Sequence, residues 1–212
     1  MEFILQSAND YALKHSSTTD ELLREIHART VQEHPEAHMI SGPVQGIFLT
    51  MISKMIKPMR ILEIGTFVGY SSLCLAEGLS EGGMLHTIEK REQDAEKAKD
   101  YINRSAHRNN IMVHIGEASA IIDTLEEQWD LIFIDADKTG YLMYYQQLID
   151  KVRSGTWFII DNVLFHGEVL KENITGKNAK AITEFNEYIK NDDRIEKVML
   201  TIRDGITLIY KK

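Results

Sequence analysis

Arg60-Ile61-Leu62-Glu63-Ile64-Gly65-Thr66-Phe67-Val68-Gly69 is the stretch whose reading decides the fold. A short apolar run carries a carboxylate near its end, and two glycines follow four residues apart. Ser71 and Ser72 then open a stretch of helical character. Strand, glycine turn and helix, in that order, form the front edge of a nucleotide-binding βαβ unit.

The departure from the dinucleotide pattern is informative. G-x-G-x-x-G brings backbone N–H groups against a pyrophosphate. Here Glu63 holds the first glycine position. A carboxylate repels a diphosphate and attracts a ligand that carries an ammonium and no phosphate. S-adenosylmethionine (SAM) has such an amino-acid tail and a sulfonium, so E-x-G-x-x-x-G reads as a SAM loop. The alternative at this point is a strand ending in a tight turn with a solvated glutamate.

Outward from that stretch, strands are expected at residues 60–64, 84–88, 111–115, 131–134 and 156–160. Helices are expected between them at 71–79, 91–107, 141–152 and 179–189. Two strand-like runs, 194–202 and 206–210, flank Arg203-Asp204-Gly205, where Asp-Gly signals a hairpin. The expectation is an α/β fold: a Rossmann-like seven-stranded sheet with helices on both faces. Five strands are parallel, and a C-terminal antiparallel hairpin completes the sheet. Residues 163–177 carry little helical or strand pattern, and loops of that length are usually functional or disordered.

The first 58 residues read as a helical cap on a core of residues 59–212, within one domain. Thr18-Thr19-Asp20-Glu21 resembles a capping box ahead of Leu22, Leu23 and Ile26. His34-Pro35-Glu36 breaks that helix, and Ser41-Gly42-Pro43 starts a second, with Pro43 in its first turn. Val44, Ile47, Phe48, Met51, Ile52 and Met55 form its apolar stripe, assigned to core or to a subunit contact; Pro58 ends it.

The chain has 212 residues and a net charge of −8, which argues against broad phosphate-backbone binding without excluding a local basic patch. No uninterrupted apolar run reaches the roughly 20 residues that a bilayer requires. Met1-Glu2-Phe3-Ile4-Leu5-Gln6 lacks the basic start and long apolar stretch of a signal peptide. The single cysteine, Cys74, excludes an internal disulfide and reads as a buried thiol. A cytoplasmic location fits these features.

Open parallel sheets bind ligands at the carboxyl ends of their strands. Glu63, Glu89, Gly116, Asp135 and Asp161 all stand at such ends and are expected to converge on one edge. Glu89 lies about 20 residues past Gly69, where an acidic residue meets ribose hydroxyls; its alternative is a solvated strand-end charge. Asp135, Asp161 and Asn162 form an oxygen-only set suited to Mg²⁺, although Asp161-Asn162 alone also suits a turn. Lys138, three residues after Asp135, reads as a base beside that cation. Most of the eight histidines are assigned to surface or loops rather than to a zinc site.

Two blocks then carry a resemblance. Phe133-Ile134-Asp135-Ala136-Asp137-Lys138-Thr139-Gly140-Tyr141 and Asp161-Asn162-Val163-Leu164-Phe165-His166-Gly167-Glu168-Val169 resemble the cation-dependent O-methyltransferases, the caffeoyl-CoA and catechol family with its bacterial relatives. The resemblance runs from near Tyr11, through Ser41-Gly42-Pro43-Val44-Gln45-Gly46, to Asp204-Gly205. It implies Asp135, Asp161 and Asn162 as metal ligands and Lys138 as the base. It further implies SAM contacts from Glu63, Gly65, Thr66, Ser71, Glu89, Ala118, Asp135 and Asp137, with Ser41 near the methionine end. Phe165 and His166 fall beside the acceptor. Thr139-Gly140 replaces an Asp-Asn of the plant enzymes, which puts the plant acceptor in doubt, and Ser154-Gly155-Thr156 replaces a Gly-Gly.

The implied activity is Mg²⁺-dependent methyl transfer from SAM to a hydroxyl of a catechol-like small molecule, by a homodimer without membrane contact. Three rivals stand beside it: the same chemistry on a hydroxylated uridine in tRNA, a NAD-linked oxidoreductase, and a non-enzymatic SAM-binding scaffold.

Overall fold

A computed structural model describes residues 6–212; residues 1–5 of the stretch read for a signal peptide lie outside the described residues. The helical layer comes first: α1 (Gln6–Lys14), α2 (Glu21–Glu33) and α3 (Pro43–Ile56). Alternation follows: β1 (Arg60–Ile64), α4 (Tyr70–Ala76), β2 (Met84–Glu89), α5 (Glu92–Asn103), β3 (Ile111–Ile115), α6 (Ala118–Ile122), β4 (Leu131–Ile134), α7 (Tyr141–Ile149), β5 (Trp157–Asp161) and α8 (Lys177–Lys190). The antiparallel strands β6 (Ile195–Leu200) and β7 (Ile206–Lys211) close the series.

The sheet has seven strands in the order β3-β2-β1-β4-β5-β7-β6. Five strands are parallel; β7 pairs antiparallel with both β5 and β6. The chain winds outward from β1 to β3, then returns to lay β4 on the other side of β1. That reversal is where open α/β sheets form a ligand crevice.

Both sheet faces are buried, which explains the unbroken apolar runs of β4 and β5. Ile132 and Ile134 join the core beneath α6, α7 and α8, whereas Leu131 and Phe133 join the core beneath α2 to α5. Cys74 lies fully buried in the second core, and burial pushes its thiol pKa up.

Local expectations shift in four places. Asp20, rather than the Thr18–Glu21 box, caps α2: its carboxylate accepts the Leu23 N–H at 2.7 Å, and an acid also suits a helix N-terminus. The stripe assigned to α3 is divided: Phe48 and Ile52 pack against the core beside the buried Gln45, Gly46, Leu49 and Ser53, while Met51 and Met55 are 59% and 76% exposed. His86 is buried, and its Nδ1 lies 3.0 Å from His114 Nε2 across β2 and β3. The fourth concerns hydropathy. Ala37–Ile56, 20 residues with a mean hydropathy of 1.2, is long and apolar enough to pass for a membrane span. It is not one helix: a 3₁₀ turn at Ala37–Met39, extended backbone at Ile40 and Gly42, and then α3, which packs against α4.

Candidate active site

The loop after β1 has positive φ at three residues, Gly65, Phe67 and Gly69. Gly65 has φ +101°, and a Cβ there would collide with the backbone carbonyl of Asp135. Only glycine lets the loop pass so close to the end of β4. Phe67 has φ +51° despite its side chain, and its N–H donates to Glu89 Oε2 at 2.7 Å. Glu89 Oε1 accepts the Arg91 N–H at 2.9 Å, and the Arg91 guanidinium lies over the Phe67 ring at 5.4 Å. One strand-end carboxylate thus fixes the loop, while its side chain stays 9% exposed.

Glu63 is fully buried in the central strand β1. Its Oε2 accepts hydrogen bonds from Ser72 Oγ and, at 2.6 Å, from Thr87 Oγ1. Its Oε1 has no partner among the described residues. Burial, opposed by hydrogen bonds from Ser71, Ser72 and Thr87, pushes the carboxyl up to about 7.

The register pairs Ile134 of β4 with Ile160 of β5, so Asp135 and Asp161 leave adjacent strands side by side. Asp161 is buried; burial and the neighbouring charge of Asp135 push its carboxyl up to about 7. Asn162 has φ +57°, and its Nδ2 donates to Asp204 Oδ2 at 3.3 Å. Among the described residues no three His, Cys, Asp or Glu side chains gather as a metal site. The set at this edge is two carboxylates, Asp161 buried and Asp135 part-exposed, and an amide, an oxygen-only set that fits a hard cation.

Lys138 opens a 3₁₀ turn at Lys138–Gly140. Its Nζ donates to Asp135 Oδ1 at 2.9 Å, Ala136 O at 3.1 Å and the Tyr141 hydroxyl at 2.8 Å. Tyr141 is fully buried and donates to the Asp161 carbonyl at 3.1 Å. Burial and the surrounding aspartates hold its phenol pKa well above the usual value.

The loop after β1, Glu89, Asp135, Lys138, Asp161 and Asn162 line one cavity of about 540 Å³. The sequence matches the O-methyltransferase family over residues 13–212. This chain belongs to that family. It is similar to a probable caffeoyl-CoA O-methyltransferase of Dictyostelium discoideum, 32% identical over 95% of this chain and 90% of that one. A catechol O-methyltransferase of Niastella koreensis is 33% identical over 81% of each chain. An SAH-bound O-methyltransferase of Bacillus cereus matches the structure with a TM-score of 0.89 at 31% identity, over 97% of both chains. An SAH-bound methyltransferase of Podospora anserina gives 0.91 at 26% identity, over 100% of this chain and 98% of that one. The oxidoreductase and scaffold readings fall with the family.

In this O-methyltransferase, Ser41, Gly65, Thr66, Ser71, Glu89, Ala118, Asp135, Asp137, Lys138, Asp161, Asn162, Phe165 and His166 all line the cavity. Glu63 does not; it lies in the interior, against Ser72 of α4 and Thr87 of β2. Asp137 Oδ1 accepts the Tyr144 hydroxyl at 2.6 Å. Phe165 and His166 sit in left-handed backbone at the start of the 3₁₀ segment Phe165–Leu170. The His166 N–H donates to Asp204 Oδ1 at 2.5 Å, and its imidazole is 74% exposed. Sequence reasoning missed Gln45, Tyr141, Arg203 and Asp204 as site residues. Gln45 and Asp204 lie within blocks that resemble the family, and only the folded contacts distinguish them.

Proposed function

We propose that this enzyme transfers the methyl group of SAM to one hydroxyl of a vicinal dihydroxyaromatic small molecule, with Mg²⁺ held by Asp135, Asp161 and Asn162. One observation carries the reading. Two carboxylates, Asp135 and Asp161, leave adjacent strand ends side by side, and the Lys138 Nζ bonds Asp135 there. The names of the similar caffeoyl-CoA and catechol enzymes support the acceptor class. SAH in the similar structures supports the donor.

The cation, when bound, supplies Lewis acidity that lowers the pKa of an acceptor hydroxyl. Lys138, as a free amine, takes the hydroxyl proton at Nζ. Tyr141 and Ala136 hold that nitrogen at the cavity wall. Glu89 and Phe67 shape the wall for the donor ribose, and Phe165 and His166 flank the acceptor. Much of the rate gain is positioning, because two bound substrates must meet in line. The enzyme acts in the cytoplasm as a homodimer; the exposed Met51 and Met55 of α3 offer the apolar face for a second copy.

The test is methyl transfer from labelled SAM to a panel of catechols, with Mg²⁺ and with EDTA. Metal-dependent O-methylation is the expected result. Intact SAM binding without transfer to any catechol overturns the acceptor, and hypomodified tRNA is then the next substrate, against the net charge of −8.

A further inference from the structure

Gln45 is fully buried on α3, 116 residues away in sequence from the strand end it touches. Its Nε2 donates to Asp161 Oδ2 at 2.5 Å, and its Oε1 accepts from Arg203 Nη1 at 2.6 Å. Arg203 belongs to the turn between β6 and β7, has φ +48°, and also reaches the Ile40 carbonyl at 3.4 Å. Helix α3 therefore reaches one carboxylate oxygen of Asp161 through Gln45, and Arg203 holds the other end of that amide.

We propose that Gln45 and Arg203 form a positioning pair that sets the orientation of Asp161 for the cation. The argument rests on donor and acceptor identity. A glutamine amide can turn either end toward a neighbour, and facing its oxygen to a carboxylate is repulsive. Arg203 only donates, so it claims Oε1 and leaves the NH₂ end for Asp161. The other oxygen, Oδ1, accepts the Asn162 N–H at 2.8 Å. With one donor on each oxygen the carboxylate is held, and each oxygen keeps acceptor capacity for a metal. Groups that orient a metal ligand commonly change metal affinity by about 10- to 100-fold.

This role rests on the metal reading above. Mn²⁺ alone, titrated into donor-free full-length protein and read by electron paramagnetic resonance, tests it. Gln45→Met keeps side-chain length and removes the donor; its Kd is expected to rise at least about 10-fold. Arg203→Ala should raise Kd by a smaller factor, and the double variant should match Gln45→Met, because both changes break one chain of contacts. Circular dichroism and Tm report folding in every variant, and the exposed Arg203 keeps the test open should Gln45→Met fail to fold. Folded variants that bind Mn²⁺ as the wild type does, or a double variant whose losses multiply, overturn the pair. A wild-type protein that does not bind Mn²⁺ overturns the metal reading itself and the pair with it.

Discussion

The Lys138 ammonium donates to the Tyr141 hydroxyl at 2.8 Å, and that hydroxyl donates onward to the Asp161 carbonyl. The base is thereby tied to the strand that carries two of the metal-ligand candidates. Lys138→Met should cut kcat by about 10²- to 10⁴-fold, the range for a general base, with SAM affinity retained in calorimetry. Tyr141→Phe should cut kcat less and cost roughly 1–3 kcal/mol of stability in urea denaturation, for the two hydrogen bonds its hydroxyl makes.

Mg²⁺ should raise the Tm of the donor-free protein, because a ligand that binds only the folded state stabilises it. At about 100 times its Kd the gain is near 2.7 kcal/mol. EDTA should abolish it, and so should Asp161→Asn, read by differential scanning fluorimetry.

Glu63 makes stability depend on pH. Its carboxyl is raised from 4.5 to about 7 by burial, so the folded chain holds that proton more tightly than the unfolded chain. The contribution is fully present below about 4.5 and is lost as pH rises through about 7, by at most about 3 kcal/mol. Glu63→Gln should flatten this slope, giving a variant more stable than wild type above pH 7 without SAM. Urea midpoints from pH 4 to 8 measure it. A wild-type slope no steeper than that of the variant would overturn the assignment.

Gly65→Ala should destabilise by about 2 kcal/mol or more, or abolish SAM binding. Its φ of +101° disfavours any Cβ, and the Asp135 carbonyl fills the space. Denaturant unfolding and calorimetry distinguish the two results.

Much of this arrangement was legible because local chemistry dictated it. Apolar runs ending in Glu89, Asp135 and Asp161 mark strands buried on both faces, and their ends meet wherever such a sheet forms. The Asp204-Gly205 hairpin was legible as well: Gly205 adopts φ +83°, and a Cβ there would strike Leu164. Helix α6 was not anticipated, since five residues are too few to show a helical period. Met51 and Met55 were left between core and subunit contact because an apolar stripe does not say which of its residues meet the sheet; both are exposed. Gln45 and Arg203 stayed hidden because their meeting spans 158 residues, and no local pattern encodes a contact at that distance.

The insertion of β7 between β5 and β6 has a consequence for synthesis. Chain order puts β7 last among the strands, yet β5 relies on it for one of its two hydrogen-bonded neighbours. Until Ile206–Lys211 leaves the ribosome, the apolar strand Trp157–Asp161 is an open edge, a template for pairing with other chains. A stall just before Ile206 leaves every candidate catalytic and metal-binding side chain already made and the strand beneath Asp161 unsealed. Sealing of β5 therefore follows the making of the catalytic sequence in chain order.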